Sequence, residues 1–228
     1  MRYPAPKALR YSYYGNPLDY IEYTLAEHAI PGETPHDQPT GPLVVPGEFT
    51  VALTANGQTL RQPLKVTLDP RVKVSQADLQ LQLDAERNIA SQMSATFDAV
   101  NELKMLRAQV KERETALAKN SQAKNAAEQL KKLDKSIDDI ETGTPTALGL
   151  GSLNRELARL ATMIESGDAK PAAELQNGVD QSCQQTAKRL SQWGELTAAV
   201  NSANADLEHL KQPALKFGNA PATPRCTP

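Results

Sequence analysis

The chain has 228 residues, 39% of them hydrophobic, which is enough apolar material for one large domain or two small ones. Its formal net charge is -2 with the signs mixed, so no field gathers nucleic acid or an anionic membrane surface, and neither is expected as a partner. It lacks the run of roughly 18 apolar residues that a membrane span requires, and it lacks a basic-then-apolar leader. Read literally, it is expected to be soluble and cytoplasmic.

Aromatic residues make up only 4%, and the tyrosines all lie at or before Tyr23, so most of the core must come from Leu, Ile, Val, Met and Ala. That composition favours a helix bundle. Residues 1–46 intersperse Tyr3, Tyr11, Tyr13, Tyr14, Tyr20 and Tyr23 with prolines and glycines, which excludes long helices. From Gly47 onward Phe49, Val51 and Leu53 alternate with Glu48, Thr50, Ala52 and Thr54, the period of a half-buried strand. Asn56-Gly57 supplies a type I′ turn. A second strand through Leu60, Leu64, Val66 and Leu68 completes a hairpin, with Pro63 predicting a bulge or an unpaired edge position. A lone hairpin is marginal in water, so these strands need others, from the tyrosine-rich segment or from chain outside this sequence. The pattern is that of the last strands of an immunoglobulin-like or fibronectin-like sandwich.

At Ser75 the period changes. Ser75 can cap a long helix with the seam Leu79, Leu83, Ile89, Met93, Phe97, Val100, Leu103, Leu106, Val110 and Leu117, ending near Lys119-Asn120-Ser121. A second helix carries Ala123, Ala126, Leu130, Leu133, Ile137 and Ile140 until Thr142–Gly151 interrupts it. Ser152 is expected to cap a third, with Leu153, Leu157, Leu160 and Ile164, stopped by Gly167. A fourth is expected from Pro171, through Leu175, Val179, Cys183, Ala187, Leu190, Trp193, Leu196, Val200, Ala203, Leu207 and Leu210, to Pro213. The first and fourth helices span about 60 Å each at 1.5 Å per residue, and the second and third together match them. The expected fold is therefore α+β: a partial immunoglobulin/fibronectin-like segment at 1–72, then an antiparallel long-helix bundle of three rods, the middle one broken, at 73–212. A Pro-rich tail at 213–228 is expected to be disordered. A free-standing coiled-coil oligomer, its seams facing other chains, is a weaker alternative.

No chemistry stands out. His28, His36 and His209 are too scattered for a helical metal site, and His209 is explained by a helix C-terminus. The loop Thr142–Gly151 is Gly-rich but follows a helix and lacks the Lys-Ser/Thr of a phosphate loop, so it is read as a connector. Asp134, Asp138 and Asp139 sit among lysines on a solvated face. Cys183 lacks a neighbouring His, and with Cys226 it makes too few cysteines for a disulfide framework. One semi-buried thiol and one tail thiol are expected, a Cys183–Cys226 bridge being the alternative. No catalytic, cofactor-binding or metal-ligating residue is assigned, and no cofactor is expected. The rival reading is a carbohydrate surface around Tyr13, Tyr14, His28 and His36.

Arg2-Tyr3-Pro4-Ala5-Pro6, Asp19-Tyr20-Ile21-Glu22-Tyr23, the run Gly41–Val51 and Asp69-Pro70-Arg71, with the helical stretch Gly151–Pro171, together resemble one known arrangement. It is the C-terminal region of large bacterial secreted proteins with sialidase-like or sortilin-like (BNR) β-propellers, often labelled glycosyl hydrolases. The resemblance covers nearly the whole chain and implies an immunoglobulin-like segment and long helices following a propeller. The propeller and its Asp-box repeats are absent here, so no catalytic residue carries over. By this resemblance the chain is a non-catalytic structural or interaction module, its partner an upstream propeller or another protein; the alternative is that it is part of a sialidase-like glycoside hydrolase whose catalytic propeller lies upstream, the chain closing over the propeller's site. Its origin is then periplasmic or extracellular, against the literal reading, and Met1 is expected to be internal to a longer chain or the start of a split reading frame.

Overall fold

The computed structural model describes residues 1–9, 11–13, 16–18 and 41–226. The fold is mixed: small two-stranded antiparallel sheets accompany a set of helices that makes up most of the chain. Strands β1 (Tyr11–Tyr13) and β2 (Asn16–Leu18) form a short pair. The long hairpin consists of β3 (Gly47–Ala55) and β4 (Gln58–Val66), in register from Gly47 opposite Val66 to Ala55 opposite Gln58. Its turn residues Asn56 and Gly57 have φ of 52° and 76°, the positive pair that a type I′ turn demands. The ladder continues through Thr50 opposite Pro63 without an inserted residue, so the bulge expected there is absent. Alternation from the turn puts Pro63 at a non-hydrogen-bonded pair, where its missing N–H costs the ladder nothing.

Helix α1 (Gln76–Leu117) is 42 residues long, and Ser75 caps it by accepting from the Asp78 amide. A 3-10 turn at Ser121–Ala123 leads into α2 (Lys124–Glu141). The strands β5 (Gly143–Thr144) and β6 (Ala147–Leu148) form a minimal hairpin before α3 (Leu150–Glu165). Two expectations shift here. Helix α3 starts earlier than Ser152 because the Gly149 carbonyl already accepts from the Leu153 amide, which makes Gly149 the cap. The fourth helix starts after Pro171 and is two helices, α4 (Ala173–Ser191) and α5 (Trp193–His209), meeting at Gln192. There the Gln192 amide bonds to Arg189 O, the tighter i to i+3 closure common at helix ends.

Helix α1 packs against α2, α3 and α4, and α4 and α5 pack against α3 and α2 respectively. The predicted seams are the core. Every seam residue of α1 except Phe97 is buried, as are all those of the second helix from Ala123 to Ile140. One cluster joins the C-terminal half of α1 to α2, α5 and the start of α3, and a second joins Ala85, Ile89 and Met93 to Leu157, Ala161, Ile164 and Val179. Most of the seam surface is thus covered within the chain, with Phe97, Leu160, Leu175 and Leu210 partly buried against the two clusters.

The tail expected to be disordered is instead folded back onto the bundle as far as Cys226. Leu215 is buried, Asn204 bonds both its N–H and its C=O, and Arg113 Nε donates to Pro213 O. Phe217 stacks on Trp193, whose indole N–H donates to Gly218 O. Proline content excluded a helix there but not packing, because the segment's backbone groups are satisfied by side chains of α1 and α5.

Candidate interaction surface

The exposed hairpin is the most conspicuous feature of the surface. Alternation puts Phe49, Val51, Leu53, Leu60 and Leu64 on one face, and Val51, Leu53 and Leu60 are 51%, 63% and 70% exposed. The other face carries Glu48, Thr50, Thr54, Thr59, Arg61 and Lys65, with the Thr54 and Thr59 hydroxyls bonded across the strands. Among the described residues no third strand pairs with it. At its root, Gln76 Nε2 donates to Pro46 O, and a cavity of about 220 Å³ separates it from α1.

A second structural theme is the ribbon of residues 1–9 and 41–46 across α1 and α3. Tyr3 N donates to Pro42 O and Val44 N to Met1 O, so the two stretches run antiparallel. Leu9 is buried, its amide donating to Asn154 Oδ1 at 3.3 Å, while Asn154 Nδ2 reaches Met93 O and Thr96 Oγ1. Lys7 pairs with Asp98, and Arg2 bridges Gly41 O and Glu165. Beneath lies Glu86, only 6% exposed and bonded to Gln82. Burial, then the Glu165 charge, pushes the Glu86 carboxyl up to about 7, and burial likewise raises Glu165.

The residues weighed as chemistry fall into structural roles where they are described. Asp134 and Asp138 pair with Arg107, which also takes Glu141, and Asp139 pairs with Lys135. The guanidinium pulls the Asp138 carboxyl below its ordinary range. In the loop Thr142–Gly151 the carbonyls of Ala147 and Leu148 accept from Arg189, so this connector presents acceptors, the wrong polarity for an anion cradle. His209 lies in the last turn of α5. Of these candidates the structure brings Asp134 and Asp138 together on Arg107. His28, His36 and Tyr14 lie outside the described residues, as do the side chains of β1, including Tyr13. Among the described residues no group of His, Cys, Asp and Glu converges to hold a metal ion, and no helix is long and apolar enough to cross a membrane.

Cys183 and Cys226 are joined in a disulfide with Cα atoms 5.5 Å apart, correcting the expectation of two separate thiols. Sequence spacing cannot reveal this, because only the folding back of the tail brings residue 226 to α4. Beside it an open cleft of about 1320 Å³ runs between α1, α4 and the tail, with Arg87, Asp180 and Arg225 on its walls. Arg87 also lies over the Tyr3 ring.

Comparison with protein-family models, curated proteins and solved structures returned no match. Chemically the described surface offers an apolar sheet face and a mixed-charge cleft. Sequence reading missed Glu86 and Asn154 because each occupies a helical position that reads as ordinary polar surface.

Proposed function

We propose that this chain is a non-catalytic structural and interaction module, the C-terminal accessory part of a larger secreted protein of the β-propeller type. The observation that carries this reading is the hairpin β3–β4: a regular sheet element with its apolar side in water, anchored at its root to a rigid bundle. Such an element is stable when something outside it covers or extends it. We read it as part of an immunoglobulin-like sandwich. The helices we read as three rods, α1, α2 with α3, and α4 with α5, which the α1·α3, α3·α4 and α2·α5 contacts favour. The Cys183–Cys226 disulfide favours an oxidising compartment, periplasmic or extracellular, over the cytoplasm.

The test is an assay of the chain on fluorogenic glycosides and sialosides. Release no faster than the buffer blank is the expected result, and turnover abolished by His28→Ala or His36→Ala would overturn the reading. The reading frame upstream of Met1 is a second check, expected to encode propeller repeats and an export signal.

A further inference from the structure

We propose that two copies of this chain join through their hairpins, β3 of one pairing antiparallel with β3 of the other about Val51. Among the described residues neither outer edge of the hairpin is paired, and the two edges are not equivalent. The two-residue turn makes Ala55 and Gln58 a hydrogen-bonded pair, so alternation turns the backbone groups of Glu48, Thr50, Ala52 and Thr54 outward on β3. On β4 the outward residues are Thr59, Arg61, Pro63 and Lys65. Pro63 removes a donor from the middle of that edge, with a basic residue on each side of it, the devices by which edge strands resist pairing. The β3 edge carries no proline, bulge or lysine.

A second copy fits the open edge. In the register centred on Val51, which uses the whole strand, Thr50 faces Ala52 of the second copy and Glu48 faces its Thr54. These are the pairs that exchange both backbone hydrogen bonds, and no like charges meet. Val51 then meets its counterpart and Phe49 meets Leu53, at the closer positions and all on the apolar face. The resulting order β4-β3-β3-β4 has enough strands to stand in water. Both its outer edges are the blocked β4 edges, so assembly closes at two. The helical seams compete little, being mostly covered within the chain. This pairing does not depend on a propeller partner, and the glycoside assay above is blind to it.

Sedimentation equilibrium of the 228-residue chain over a range of concentrations tests the pairing, the expected mass tending to twice 24.7 kDa. Ala52→Pro removes an outward N–H at a position where, as at Pro63, the hairpin's own ladder is spared. It is expected to weaken association at least ~10-fold while leaving the far-ultraviolet helical signal unchanged. Arg61→Ala, on the blocked edge, is expected to leave the mass unchanged. Val51→Cys reads the register directly, because the two introduced thiols lie opposite one another and crosslink on mild oxidation. A monomer at every concentration, assembly beyond two copies, a dimer undiminished by Ala52→Pro, or no crosslink at residue 51 would each overturn the proposal.

Discussion

Cys226, near the end of the chain, is bonded to Cys183, wholly buried in α4, across a sequence separation of 43 residues. The bond closes a loop that contains all of α5 and fastens the tail already held by Trp193, Asn204 and Arg113. For a loop of this size the chain-entropy model assigns about 4 kcal/mol. Cys226→Ser is expected to lower the melting temperature by on the order of 10 °C. A reducing agent should lower the melting temperature of the parent chain by a similar amount and leave that of the variant unchanged. Differential scanning calorimetry with and without reductant checks both.

Glu86 sets a pH dependence of opposite sign to a salt-bridged carboxylate. Its folded pKa, about 7, lies above the ordinary 4.5, so between those values the folded state binds more protons than the unfolded one. Its contribution to stability is therefore present below about 4.5 and is lost as pH rises through about 7. Glu86→Gln keeps the shape without the charge. It is expected to raise stability at pH 8 by up to about 3 kcal/mol and to flatten the profile between pH 5 and 8, measured by urea melts.

Asn154 bonds three groups on two other segments: the buried amide of Leu9 in the N-terminal ribbon, and the carbonyl of Met93 and the hydroxyl of Thr96 on α1. Asn154→Ala leaves these groups without that partner in a dry site, a loss of about 2–3 kcal/mol. Amide exchange at Leu9 should speed up more than exchange at Lys7, whose amide bonds to Ser94 instead. Hydrogen exchange with fragment resolution distinguishes the two.

The β5–β6 hairpin depends on glycine at one end. Gly143 has φ of +106°, and a methyl group there would sit 2.5 Å from Gly149 N and 2.6 Å from Ala147 O. Gly143→Ala is expected to cost more than about 2 kcal/mol and to detach the carbonyls that hold Arg189. Gly167→Ala meets nothing within 4 Å and has no positive φ, so its melting temperature should stay near that of the parent.

The elements most legible in the sequence are those whose information is local. The Asn56-Gly57 turn, the alternation from Phe49 to Leu53, the Ser75 cap and the seam from Leu79 to Leu117 each depend on residues within one or two turns of each other. The helix ends near Gly149 and Gln192 are not legible in the pattern, because they lie where single backbone bonds close, Leu153 N to Gly149 O and Gln192 N to Arg189 O. The candidate surface was half legible: alternation identified the apolar strand face, but not that its leucines stand in water.

By itself the sequence determined the α+β class, the hairpin and its turn, and the apolar stripes that drive the helices together, since all of these follow from backbone period and turn chemistry. Only the tertiary structure decided that the tail packs, that Cys183 meets Cys226, and that Glu86 is buried near Glu165 under the Arg2 ribbon. Those outcomes depend on which distant segments share a surface. Contacts across 43 or more residues leave no periodic trace in the chain that makes them.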